Sequence, residues 1–167
     1  MSDNLKVLHV LPTLKKDGAE VQFANLLMEI KNTEIDIFTF DLYEKGDSIR
    51  PMLKNNNLFF KNSVFYLKKI IDQNNYDIVH SHLPKADLLV GLLSVFNKKF
   101  KHIVSVHAKY GTRKEESKIK YLFANFFWKR ILNNSSGVIA ISKSIYDWLV
   151  EEKHIDRNLI KIIYYGV

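Results

Sequence analysis

Short apolar runs of strand length, each followed by a stretch of helical period, constrain this chain more than any other feature of its sequence. Residues 5–11, 35–40, 102–106 and 137–141 are almost continuously apolar, the pattern of strands covered on both faces. After the first run, Phe23, Leu26, Leu27 and Ile30 recur at i, i+3, i+4 and i+7 of a helix beginning near Ala19. Val64, Leu67 and Ile71 mark a second helix that stops at Asn74 and Asn75, and Pro84 opens a third running to about Phe96. A long basic helix is expected over 115–132, and Ser142 is placed to cap a last helix ending at Glu152. Residues 58–60 read as a short strand, 77–82 as a strand ending in histidines and 161–164 as the last strand, with 42–57 mostly loop. Strands alternating with helices at this spacing predict βαβ units. The expected chain is α/β and doubly wound, its sheet mostly parallel with helices on both faces.

The 167 residues suffice for one such domain with a real core, so 1–167 is read as a single unit. Gly166 and Val167 follow directly on the last strand, and that end reads as a cut at a domain boundary. With 47% hydrophobic residues the chain is not disordered overall, and with no cysteine it has no disulfide, thiolate metal site or cysteine nucleophile. Residues 1–4 lead straight into a strand without the charged and apolar regions of a signal peptide. No apolar run approaches the roughly 18 to 20 residues that span a bilayer. A cytoplasmic location, peripheral to the cytoplasmic face of a membrane at most, is expected.

The net charge of +7 is localised. Between Lys98 and Arg130 stand ten Lys or Arg against Glu115 and Glu116, so that segment carries +8 and the remainder −1. Such a patch suits anionic headgroups, a diphosphate-bearing ligand or nucleic acid. The last lacks any recognised binding motif.

The loop ending at Gly18 meets a helix N-terminus, where unpaired backbone N–H groups can receive an anion. Neither G-x-G-x-x-G nor G-x-x-x-x-G-K-[ST] occurs, so the dinucleotide and P-loop fingerprints are absent. In the run 103–111, β-branched residues stop at His107. In open parallel sheets, ligands bind beyond the carboxyl ends of the strands. His80 and His82 are read as pointing to opposite faces of their strand, with His82, nearer the carboxyl end, at the crevice. A metal site from His80, His82 and His107 finds no carboxylate to complete it. No acid/base pair of carboxylates stands out either.

Taken in order, Val7-Leu8-His9-Val10, Asp17-Gly18-Ala19-Glu20, Asp77-Ile78-Val79-His80-Ser81-His82, Ser105-Val106-His107, Val138-Ile139-Ala140-Ile141-Ser142 and Ile162-Ile163-Tyr164-Tyr165-Gly166-Val167 match one pattern. The chain resembles the N-terminal domain of GT-B glycosyltransferases of family four. Asp17 stands where the family usually has a first glycine, and Tyr165 where it commonly has Asn.

The resemblance implies the Rossmann-like, acceptor-side half of a retaining enzyme. It would move a sugar from a nucleotide-sugar donor to a glycan or lipid-linked acceptor, without a metal or other cofactor. It implies a catalytic position for His107 beside the transferred sugar, donor-diphosphate contacts at Gly18 and Ala19, and acceptor contacts from His82 and Lys109. Orientation and electrostatics would carry the reaction, with the donor phosphate assisting the incoming hydroxyl. The nucleotide-sugar domain lies outside this chain, in cis or in trans. A non-catalytic Rossmann-like binding module, or one half of a two-chain transferase, is the alternative.

On the helix expected over 115–132, Ile119, Leu122, Phe123 and Phe126 form one apolar stripe, read as the core face. Tyr121, Ala124, Trp128 and Leu132 form a second on the opposite side. Aromatics among Lys114, Lys118, Lys120, Lys129 and Arg130 suit an anionic membrane surface.

Overall fold

A computed structural model describes residues 5–30, 33–110 and 118–164, the side chains of 118–124 excepted. Its elements are β1 (Lys6–Leu11), α1 (Gly18–Glu29), β2 (Glu34–Thr39), β3 (Asn57–Phe60), α2 (Val64–Asn74), β4 (Ile78–His82) and α3 (Pro84–Phe96). There follow β5 (Lys101–Val106), α4 (Lys118–Asn134), β6 (Gly137–Ala140), α5 (Lys143–Glu151) and β7 (Ile160–Ile162). The strands form one sheet in the order β3-β2-β1-β4-β5-β6-β7, parallel at every pairing. The direction of winding reverses between β1 and β4, whose register sets His9 beside His80.

Side chains alternate between the two faces. On one face Leu8, Val10, Phe38 and Val79 pack with α2 and α3, and Val104, Val106, Val138 and Ala140 pack with α4 and α5. The opposite face carries Leu11 and Ile37 beneath Phe23 and Ala24 of α1. Four of the five described helices therefore cover one face and α1 alone covers the other. Beside α1 lies an open groove of about 530 Å³, its floor formed by Val7, Ile78, Ile103 and Ile139.

The stretch 42–57 is mainly loop, as expected, with a 3-10 turn at Arg50–Leu53. Ile49 and Leu53 bury their side chains with Leu14. Ser48 Oγ donates to the carbonyl of Leu14 at 3.0 Å, so this loop holds the β1–α1 connection in place. Ser142 caps α5, its hydroxyl accepting from the N–H of Ile145.

The expected faces of α4 are corrected by its neighbour. Trp128 and Leu132 are 4% and 0% exposed and belong to the core, whereas Phe126 is 59% and Phe127 50% exposed. On α3, Gly91 has no side chain and admits Ile131, while the Asp87 carboxylate accepts the Trp128 indole N–H at 3.1 Å. These two contacts fix which side of α4 turns inward. The side chains of Ile119, Tyr121, Leu122, Phe123 and Ala124 lie outside the described residues, as do Lys114 and the other residues of 111–117. Among the described residues no helix is long and apolar enough to cross a membrane.

Candidate functional site

The site forms at the reversal point, the place where open α/β sheets bind ligands. β1 brings His9, β4 brings His80 and His82, and His107 follows immediately on the end of β5. His80 and His82 share one face, because residues two apart on a strand point the same way. Their rings stack with centroids 4.3 Å apart, which corrects the opposite-face expectation. His9 Nδ1 lies 3.0 Å from His82 Nε2, and His82 Nδ1 lies 3.2 Å from His107 Nε2. His80 Nε2 meets Ser105 Oγ at 2.8 Å. Phe23 of α1 covers the cluster, its ring 4.9 Å from His9 and 5.0 Å from His82.

Burial holds these rings neutral. It lowers His9 to about 3 and His107 to about 4. His80 and His82 also fall well below the usual histidine range, first by desolvation and then by the neighbouring rings. His9, His80 and His82 are buried, His82 at 1% exposed, whereas His107 is only part-buried at the carboxyl edge. His107 is thus the most accessible ring of the cluster, although its Nδ1 is itself buried, and His82 stands behind it.

The N-terminus of α1 opens on the same edge. Asp17 occupies the cap position, but its side chain makes no capping bond. Its carboxylate pairs instead with Lys15 at 3.0 Å. The first turn of a helix leaves its leading N–H groups without intrahelical partners, here those of Gly18 and Ala19. A β-carbon on Gly18 would meet nothing within 4 Å, so there is open space beside this residue. Glu20 in the same turn is buried, and desolvation raises its carboxyl above the usual range.

A model of glycosyltransferase family 4 matches residues 7–167. The chain belongs to glycosyltransferase family 4.

An uncharacterized glycosyltransferase of Methanocaldococcus jannaschii is 27% identical over 158 residues, which are 90% of this chain and 43% of that protein. Among solved structures, Anabaena HepE in complex with UDP-glucose superposes with a TM-score of 0.77 at 18% identity. It covers 98% of this chain, which matches 44% of HepE. A glycosyltransferase from Rickettsia africae gives 0.73 at 19% identity, over 99% of this chain and 44% of its own. These likenesses show the fold, a Rossmann-like half of the GT-B architecture. The family 4 chain described here spans less than half the length of each of these relatives.

Within this family 4 domain, Lys109 is exposed two residues beyond His107. His9, His80 and His82 each bring a ring nitrogen within 4.8 Å of the others, a group that could hold a metal ion. Their donor chemistry favours hydrogen bonds instead. His9 and His82 engage each other, His80 engages Ser105, and a dication there would sit fully buried against neutral ligands.

On the opposite face Ser81, Asp87 and His102 have the residue types of a hydrolytic triad without its wiring. Ser81 Oγ donates to Asp87 at 2.7 Å and meets His102 Nε2 at 2.9 Å, and Ser81 and Asp87 are 0% exposed. No substrate reaches such a serine.

Sequence reasoning passed over His9, Ser105 and Glu20. Period-two placement applied to His80 would have put His82 on its face. The register of His9 needed the pairing of β1 with β4, which no local pattern carries.

Proposed function

We propose that this chain is the acceptor-side half of a retaining glycosyltransferase, acting with a nucleotide-sugar domain supplied in cis or in trans. The observation that carries this reading is a neutral imidazole, His107, at the reversal point of the sheet, on the same edge as the uncapped N-terminus of α1. A neutral ring can meet a sugar hydroxyl without the desolvation cost of a charge, and the Gly18 and Ala19 N–H groups suit a diphosphate. In this reading Lys109 and His107 touch the substrates, and His82 acts from behind His107. The donor is a nucleotide sugar and no metal or other cofactor is required. The acceptor is a glycan or a lipid-linked glycan of the cell envelope, as in polysaccharide assembly, and nucleic acid is not a partner. The open groove beside α1 supports the two-part arrangement, since parallel sheets are ordinarily covered on both faces.

Titrating 15N-labelled chain with UDP-glucose and with a panel of glycans tests the proposal. Shifts at His107, Lys109 and Gly18 with no turnover by the chain alone are expected. Efficient transfer by the 167 residues alone would overturn the two-part reading, and a silent His107 throughout would favour a non-catalytic binding module.

A second reading concerns location: the domain works in the cytoplasm at an anionic membrane surface. It is favoured by exposed Phe126 and Phe127 on α4 next to Lys129 and Arg130, with exposed Leu92 and Val95 on the adjoining α3.

A further inference from the structure

We propose that Ser81 joins Asp87 and His102 into one buried proton relay, in which the protonation of the carboxyl and the tautomer of the imidazole change together. The relay is a pH-dependent device built into the seam between β4, β5, α3 and α4. It lies on the face of the sheet away from the histidine cluster of the candidate site, and glycosyl transfer has no part in it.

Ser81 Oγ lies 2.7 Å from Asp87 Oδ1 and 2.9 Å from His102 Nε2. A hydroxyl carries one proton and two lone pairs, and a neutral imidazole one N–H and one lone pair. With Asp87 ionised, Ser81 donates to the carboxylate and its oxygen accepts from the Nε2–H of His102. With Asp87 protonated, Oδ2 is already engaged, because it accepts the Trp128 indole N–H at 3.1 Å. The proton therefore sits on Oδ1 and is given to Ser81 Oγ, and Ser81 turns its own proton toward His102 Nε2. His102 must then be the Nδ1–H tautomer. Every other combination sets two hydrogens or two lone pairs against each other, or leaves the Ser81 proton without an acceptor. Ser81 is 0% exposed, so water does not relieve such a mismatch. One proton is taken up from water in the change, and His102 is neutral in both states.

Burial lifts the Asp87 carboxyl to about 7 and lowers His102 to about 4, so the carboxyl titrates while the ring stays uncharged. Tyr110, in the loop after β5, is near enough for the Asp87 charge to add to burial in raising its hydroxyl. Lys85 of α3 lies over the Phe40 ring at 5.1 Å, and Lys153 beyond α5 bonds Asn125 at 2.8 Å. Among the described residues neither of these, nor Lys129 and Arg130 of α4, forms an ion pair with Asp87. His80 and His82 turn to the other face of β4. Ionisation also changes the helix contact, since a charged acceptor makes a hydrogen bond roughly twice as strong as a neutral one. Above neutral pH the Trp128 N–H is held more tightly, so one proton is felt both at His102 on β5 and at the contact that orients α4.

Ring-nitrogen and carboxyl-carbon NMR on the isotope-labelled chain, titrated across neutral pH, tests the relay directly. His102 is expected to pass from the Nδ1–H to the Nε2–H pattern as pH rises, with a midpoint near about 7 shared with the Asp87 carboxyl carbon. The Trp128 indole proton should move downfield over the same range. Asp87→Asn can place its carbonyl toward Trp128 and its amide N–H toward Ser81, so His102 should keep the Nδ1–H form at every pH. In Ser81→Ala, Asp87 should still titrate and still move Trp128, but the His102 tautomer should no longer follow it. A native His102 whose tautomer ignores Asp87, or a doubly protonated ring at the acid end of the Asp87 titration, would overturn the proposal. So would a tautomer change that survives in Ser81→Ala. Should Ser81→Ala fail to fold, the native titration and Asp87→Asn decide.

Discussion

Gly91 lies so close to Ile131 that a β-carbon on Gly91 would stand 2.4 Å from Ile131 Cγ2 and 2.8 Å from Cγ1. Alanine in place of a helical glycine ordinarily gains about 1 kcal/mol, but overpacking a core costs about 1–3 kcal/mol. With two branches of a β-branched residue in the way, the second effect wins. Gly91→Ala should lower stability by about 1–2 kcal/mol in denaturant unfolding. In an Ile131→Ala background the same change should be neutral or stabilising, because the obstructing atoms are gone. Equal costs in both backgrounds would contradict this account of the helix contact.

Asp87 should make stability fall as pH rises. Burial lifts its carboxyl to about 7, against hydrogen bonds from Ser81 and Trp128 that pull downward. Between its ordinary value and about 7 the folded chain holds a proton that the unfolded chain has released, so this group's contribution is present at low pH and lost through pH 7. Asp87→Asn removes the titration. Relative to the native chain the variant should therefore gain about 1 kcal/mol per pH unit between pH 5 and 7, whatever constant cost its rearranged hydrogen bonds carry. Parallel pH profiles would refute the assignment.

The histidines act with the opposite sign. His9, His80, His82, His102 and His107 are all held below the usual range by burial. Their contribution is complete above about pH 6.5 and is lost as pH falls toward 4. Each can remove up to about 1.4 kcal/mol per pH unit in that window. Five such groups outweigh Asp87, so urea midpoints should drop steeply from pH 6.5 to 4.5. His9→Phe should flatten that slope, and a midpoint constant down to pH 4.5 would show that these rings are not buried as neutral groups.

The sheet was readable in advance, because Leu8, Val10, Val79, Val104 and Val138 sit in apolar runs that suit only covered strands. The orientation of α4 was not. Trp128 and Phe126 lie on opposite stripes of similar apolarity, and the choice between them rests on Gly91 and Asp87, some 40 residues away on α3. Asp87 gave no sign in the sequence, standing as one polar residue in the apolar run ending at Phe96. His107 was legible as a strand-end histidine. The line behind it was not, because it depends on the register of His9 with His80.

For the complete transferase, His107→Ala should lower the transfer rate by about 100-fold or more, the usual effect of removing one polar group aimed at the reacting centre. Its position just past β5, partly open to solvent, predicts a melting temperature within a few degrees of native. Loss of stability in step with activity would assign the ring to the fold instead.

Sedimentation with vesicles tests the membrane contact. Phe126→Ser with Phe127→Ser should reduce binding to anionic vesicles, and Lys129→Glu should reduce it further at low salt, since each basic residue near such a surface contributes about 1 kcal/mol. Equal binding to neutral and anionic vesicles would remove the membrane from the proposal.

The parallel pairing of β1 with β4 also sets a delay on the ribosome. Lys6 bonds to Asp77, 71 positions away, and β1 cannot gain its second neighbour until β4 has been made. At about 5–20 residues per second, the central strand waits roughly 4 to 14 seconds with one side unpaired. During that interval Leu8 and Val10 are open to any passing strand. The nascent chain therefore needs shelter until the same pairing that sets His9 beside His80 closes the strand's open side.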